Sequence, residues 1–225
     1  MRAVADTLLE RLKAANADHW RAYVRHPFVR ALGSGTLPRA SFEHYLRQDY
    51  VFLIHFARAF GLAAFKSRDL EELRAAKSSM AAILDVELDL HVAYCARWGI
   101  DATTLAATVE STANMAYTRY VMERGLAGEL LDLNVALAPC IVGYAEVAAW
   151  LSGQPFLVRE GNPYLEWIEL YAGEEYRAVA DAHRATLDVV DPAALAPGRL
   201  ADLERTFGAA TRLEIGFWQM GLERT

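Results

Sequence analysis

Cysteine is scarce in this chain, with only Cys95 and Cys140 among 225 residues. Two thiols cannot build the disulfide framework of a small secreted domain. The opening stretch MRAVADTLLERLKAANADHW carries charges throughout, where a secretory signal needs an apolar run. Both features lead to the expectation of a reducing, cytoplasmic compartment. No run of Lys or Arg appears, and the formal net charge is -6. A surface of that sign repels a phosphate backbone, so no nucleic-acid partner is expected. The apolar run YVFLIHFARAFGLAAF contains His55 and Arg58 and falls short of a membrane span, so no membrane partner is expected either. HExxH, CxxC, P-loop, GxGxxG and GxSxG patterns are missing, as are internal repeats and low-complexity linkers.

What is present is apolar and helical. Hydrophobic residues make up 54% of the chain, enough for one well-buried core and a single domain over residues 1–225. Apolar residues recur with the period of a helix, and no convincing alternating strand appears. Val4, Leu8, Leu9, Leu12 and Ala15 share a stripe on a first helix that runs to about residue 24. HPFVRALGSGTLP reads as loop, because the residue before a proline is biased away from helix and Gly33 and Gly35 interrupt it. Further helices are expected over about 38–65, 69–97, 101 or 103 to 125, 127–151, 163–189 with a bend at Gly173, and 198–222. Seven or so helices with short connections make an all-α bundle.

Three features bear on chemistry. In ALAPCIVGYAEVAAW, Pro139 lacks the N–H that would bond the carbonyl of Val135, and its ring crowds that turn. A loosened turn in an apolar bundle is a place for a small ligand. Cys140 follows at once, and Tyr144 shares its face one turn on. Free cysteine also serves as a small buried hydrophobe, and that reading stays open for Cys140 and more firmly for Cys95. Second, Asp49 and Glu214 lie in apolar, aromatic stretches, where burial favours the protonated form and suits an acid to proton transfer near neutral pH. Alternatively each pairs with Arg47 or Arg212 at the edge of its stripe. Third, tyrosines are frequent, and several on different helices could converge on a flat, hydrogen-bonding ligand. The six histidines are scattered. Glu87 and His91, spaced i,i+4, only weakly resemble the Glu-x-x-His of a di-iron bundle and read as an ordinary surface pair, so no metal is expected.

Taken together, HPFVRALGSGTLPRASFEHYLRQD, Tyr117-Thr118, PCIVGYAEVA, WIELYAGEEY and EIGFWQM resemble, in that order, the motifs of the thiaminase II (TenA) family. The likeness extends from about Trp20 to Gly221. It implies a haem oxygenase-like helical fold, a homotetramer and no cofactor. It places the family's nucleophile at Cys140, its acid/base at Glu214 and its pyrimidine-anchoring acid at Asp49. Substrate-contacting aromatics fall on Phe52, Tyr117, Tyr144 and Tyr171. Phe52 stands where tyrosine is frequent, keeping a stacking face without the hydroxyl. The implied activity is an aminopyrimidine aminohydrolase in thiamine salvage. It would convert 4-amino-5-aminomethyl-2-methylpyrimidine, and in a related reaction thiamine, to the hydroxymethylpyrimidine. Two other readings stay open: a metal-dependent oxygenase or cofactor-binding relative on the same fold, and a non-catalytic regulatory protein.

Overall fold

The computed structural model describes residues 7–225; Val4 of the expected first stripe lies outside them. The described residues are all α, with twelve α-helices, one π turn and one 3₁₀ turn. They fold into two compact units, each discontinuous in sequence. The first takes the chain up to Leu37 and again over Asn134–Trp218, and the second takes Pro38–Leu133 and Gln219–Thr225.

The first unit opens with α1 (Leu8–Ala15) and α2 (Ala17–Val24), where one helix was expected. Asn16 causes the break. Its amide donates to the carbonyls of Leu12 and Glu204, each at 3.0 Å, so its side chain competes with the helical ladder. Gly208 permits that approach, because a Cβ there would meet Asn16 Oδ1 at 2.0 Å. The expected loop after it is in fact helical, as α3 (Pro27–Gly33). The restriction imposed by Pro27 falls on His26, which lies outside the helix and accepts from Phe28 N at 3.2 Å as its cap. Phe28, Val29 and Leu32 give α3 a buried face.

Most of α9 (Leu130–Ser152) belongs to this unit, followed by α10 (Leu165–Ala172), α11 (Glu174–Asp188) and most of α12 (Pro197–Glu223). Asn162 holds the turn before α10. It accepts from Tyr164 N and donates to the carbonyls of Leu32 and Gly33. The bend expected at Gly173 is a full break between α10 and α11. By length and composition, α9 rather than α4 is the helix that could cross a membrane. Of its most apolar window, 72% is buried within the protein, as in a core helix.

The second unit is built on α4 (Arg39–Lys66), which starts directly after Pro38. Then come α5 (Leu70–Ala82), the π turn Ile83–Glu87 and α6 (Leu88–Arg97), which run on without interruption as the expected third helix. The expected fourth helix is two: α7 (Ala102–Ala106), capped by Asp101, and α8 (Thr112–Ala127), capped by Ser111. Gln48 fixes α4 to the start of α8. Its amide donates to Val109 O at 2.9 Å, and its oxygen accepts from Ser111 N at 2.9 Å and Asn114 Nδ2 at 3.2 Å.

Candidate active site

In the first unit, α9 runs unbroken through Pro139 and carries Cys140 and Tyr144 one turn apart. Both side chains are buried. The Cys140 thiol donates back to Leu137 O at 3.0 Å. Neighbouring helices reach the same stretch of backbone. Tyr23 on α2 donates to Pro139 O at 3.2 Å, and Tyr176 on α11 points its hydroxyl at the carbonyls of Cys140 (3.3 Å) and Ile141 (3.2 Å). The backbone just after the turn expected to be loosened by Pro139 is gripped from two sides. Gly143 makes room for the grip, since a Cβ there would sit 2.3 Å from the Tyr23 ring and 2.8 Å from its hydroxyl.

Glu214 stands one turn before Trp218 on α12, and both are buried to within 1%. Arg212, a possible partner from sequence, is exposed. The thiol helix and the acid helix meet through rings: Tyr144 and Trp218 lie 5.3 Å apart between centroids. Tyr171 on α10 packs on Tyr144 at 4.9 Å, and Trp167 lies 4.7 Å from Tyr171. Tyr23 stacks on Trp218 at 6.1 Å, so one side chain ties the Pro139 turn to the acid helix. Tyr144 and Tyr171 therefore belong to one aromatic assembly, and Cys140 and Glu214 each stand one helical turn from one of its rings. Tyr23, Tyr176 and Trp167 are members that sequence reasoning missed.

Asp49, Phe52 and Tyr117 lie in the second unit. Phe52 packs against Tyr117 of α8 at 5.4 Å, so these two are brought together. Asp49 is buried on α4 and accepts from the Tyr45 hydroxyl. Burial pushes its carboxyl up to about 7, with the Tyr45 bond acting the other way. The expected alternative, a pair with Arg47, is replaced by histidine: His91 Nδ1 lies 3.5 Å from Asp49 Oδ2, while His91 Nε2 faces Leu46 O at 2.8 Å.

Glu87 and His91 are accordingly no surface pair. Burial, and then the charge of Asp49, raise the Glu87 carboxyl to about 7, and burial lowers the His91 ring. Cys95 follows one turn on, its thiol pushed up to about 12 by burial and by Asp49. The i,i+4 spacing was visible in the sequence; that it faces an acid on α4 was not. Among the described residues, no group of three or more His, Cys, Asp or Glu side chains could hold a metal ion. Two surface clefts, of about 420 and 460 Å³, are lined around Glu10 to Arg25 and around His44, Arg47 and Thr108, and none of the seven candidate residues borders them.

The family pattern of TENA/THI-4/PQQC proteins matches residues 13–224. The chain belongs to that family. An aminopyrimidine aminohydrolase of Halalkalibacterium halodurans is 39% identical over 202 residues, covering 89% of each chain. A crystal structure named as a TenA family transcription regulator, from Silicibacter sp. TM1040, is 42% identical. It superposes with a TM-score of 0.89 over 98% of this chain and 99% of its own. A Shewanella denitrificans domain with a haem oxygenase-like fold is 15% identical. It gives a TM-score of 0.70 over 96% and 92% of the two chains, a likeness of fold alone. This TENA/THI-4/PQQC chain thus has the all-α, haem oxygenase-like fold that its motifs implied, and it groups with the family's hydrolases.

Proposed function

We propose that the protein is an aminopyrimidine aminohydrolase of the thiaminase II type. It would convert 4-amino-5-aminomethyl-2-methylpyrimidine and water to the hydroxymethylpyrimidine and ammonia, with thiamine cleavage as a related activity in thiamine salvage. The observation that carries this reading is the ring assembly linking the helix of Cys140 to the helix of Glu214. Tyr144 meets Trp218 there, and each ring stands one turn from the reactive group on its own helix. Relatives that carry the aminohydrolase name support it.

In this reading Glu214 gives a proton to a ring nitrogen. Cys140 loses its thiol proton and adds to the electron-poor ring. Ring electrons expel the amine, which takes up the thiol's proton and leaves as ammonia. Water gives its hydroxyl to the exocyclic carbon and its proton to the protein, and departure of the sulfur restores aromaticity. This is covalent catalysis with acid/base assistance. Asp49 accepts from the ring amino group, and Phe52, Tyr117, Tyr144 and Tyr171 stack on the ring or bond its polar atoms. We also assign the chain to the cytoplasm, as a single family domain that assembles as a homotetramer. Exposed apolar side chains at Phe65, Leu70, Leu73, Leu84, Val86 and Leu90 offer a surface for a second copy.

The test is ammonia release from the aminomethylpyrimidine. The wild type releases it. Cys140→Ser does not, while keeping its circular dichroism, and Glu214→Gln falls by about 10²–10⁴-fold. Full activity in Cys140→Ser would end the proposal. Stoichiometric iron in the purified protein would favour an oxygenase instead, and partner capture without pyrimidine turnover would favour a regulator.

A further inference from the structure

Pro139 has no N–H to donate to Val135 O, so α9 lacks one bond of its ladder just before Cys140. Helix α11 spans that gap from outside. At one end the Tyr176 hydroxyl lies 3.3 Å from Cys140 O and 3.2 Å from Ile141 O, its single hydrogen shared between them. Two turns along α11, His183 Nε2 donates to Asn134 O at 2.9 Å. The two contacts fall on either side of Pro139. Helix α11 is thus a splint laid across the missing bond.

The ring of Tyr176 makes a second contact. It meets Tyr171 edge-on, with centroids 4.7 Å apart and planes at 81°. Tyr171 in turn packs on Tyr144 at 4.9 Å. In an unbroken helix, side chains at i and i+5 point about 140° apart, so these two tyrosines would face different ways. The break at Gly173, between α10 and α11, is what brings one ring onto the other. Tyr144 stands one turn beyond Cys140 on α9. The contacts therefore close a circuit, from the Tyr176 hydroxyl through the backbone of Cys140 to the rings of Tyr144 and Tyr171 and back to the Tyr176 ring.

We propose that Tyr176 is a positioning residue: its hydroxyl fixes the peptide that carries the Cys140 thiol, and its ring fixes Tyr171, so that nucleophile and stacking rings are set as one unit. The inference rests on the aminopyrimidine reading for its purpose. Addition of sulfur to a ring carbon needs the thiol at one place relative to the ring plane, and a misplacement of about 1 Å costs up to about a hundredfold in rate. In the ligand-free protein the thiol donates to Leu137 O at 3.0 Å, a bond whose geometry follows the way the Cys140 peptide is held. Tyr176 acts through Cys140 and Tyr171 and gives or takes no proton in the reaction.

The hydroxyl and the ring are separable, and the test separates them. Tyr176→Phe removes the hold on the peptide and keeps the ring contact. It should lower kcat for the aminomethylpyrimidine by about tenfold or more, with KM within about threefold of wild type. Tyr176→Leu removes both contacts, so it should lower kcat and raise KM as well. The second readout needs no turnover: the infrared S–H stretching band of Cys140, told apart from that of Cys95 by its loss in Cys140→Ser. Tyr176→Phe should shift and broaden that band, because the thiol's bond to Leu137 O is no longer held in one geometry.

An S–H band unchanged in Tyr176→Phe would overturn the proposal, as would a kcat within about twofold of wild type. A lowered urea midpoint with the S–H band in place would mark the tyrosine as structural and refute the role equally. Should the leucine variant not fold, the phenylalanine variant decides alone. If the wild type releases no ammonia, the substrate reading fails while the S–H band still decides whether Tyr176 sets the thiol.

Discussion

Cys140 and Asp49 are both buried, yet their surroundings answer burial in different ways. Around Cys140 the neighbours are neutral rings and hydroxyls, and the backbone carbonyls beside it are bonded by Tyr23, Tyr176 and the thiol itself. One buried titratable group of that unit, His183, is held neutral. Burial lowers its ring to about 4 while Nε2 donates to Asn134 O at 2.9 Å. Around Asp49 stand the Tyr45 hydroxyl and the His91 ring, and burial raises both its carboxyl and that of Glu87 to about 7. In the first unit burial holds His183 neutral. The other keeps groups that titrate near the working pH, the property expected of sites that move protons.

Four measurements would break or sharpen that contrast. The largest effect is expected from Trp218→Ala, which removes the ring touching Tyr144, Tyr23, Phe28 and Trp167; urea unfolding should show a loss of about 3–5 kcal/mol. A loss below about 1 kcal/mol would mean that the ring assembly is not what holds the first unit.

Next is the pH dependence of the acid cluster. The folded Asp49 carboxyl is raised from 3.8 to about 7, so the folded state holds more protons over that window. Stability must therefore fall as pH rises through it, by up to about 4 kcal/mol. Asp49→Asn should equal the wild type at pH 4 and exceed it at pH 8.

His183 carries the opposite sign. Its ring is lowered from 6.5 to about 4, so its contribution is complete above 6.5 and lost as pH falls through that window, to the extent of about 3 kcal/mol. Glutamine at this position can still donate to Asn134 O, so His183→Gln should flatten the acid limb of the unfolding curve and leave the alkaline limb alone.

The smallest effect is Gly143→Ala. The added methyl collides with Tyr23 and should cost about 1–3 kcal/mol, with Tyr23 fluorescence altered. An alanine variant as stable as the wild type would show that the grip on the Pro139 turn is loose.

How much of the site could be read from residues alone follows the range of each interaction. Cys140 with Tyr144 and Glu214 with Trp218 are spaced i,i+4, so helix geometry places each pair on one face before any packing is known. The tyrosine grip on Pro139 joins residues 116 positions apart for Tyr23, and no local pattern records it. Glu87 and His91 sit in the run LDVELDLH, whose charges read as a solvated face. His91 turns inward because Asp49 and Leu46 on α4 receive it. The π turn left no signal either, since its one-residue insertion is a matter of hydrogen-bond register and not of composition. At the other extreme, α3 was misread by a local rule correctly stated but applied one residue too far: the proline constrained His26, which caps the helix from outside it.

The residue order by itself settled that this chain is helical, where most helices lie, and which thiol, which two acids and which aromatics were worth watching. Those properties depend on neighbours three and four places along the chain, and a helix makes such neighbours touch. Folding alone decided which of those groups share a ring assembly, that Asp49 meets a histidine, and that tyrosines from two other helices hold the backbone at Pro139. Such facts depend on which helix faces which, and on the burial that changes a carboxyl's hold on its proton.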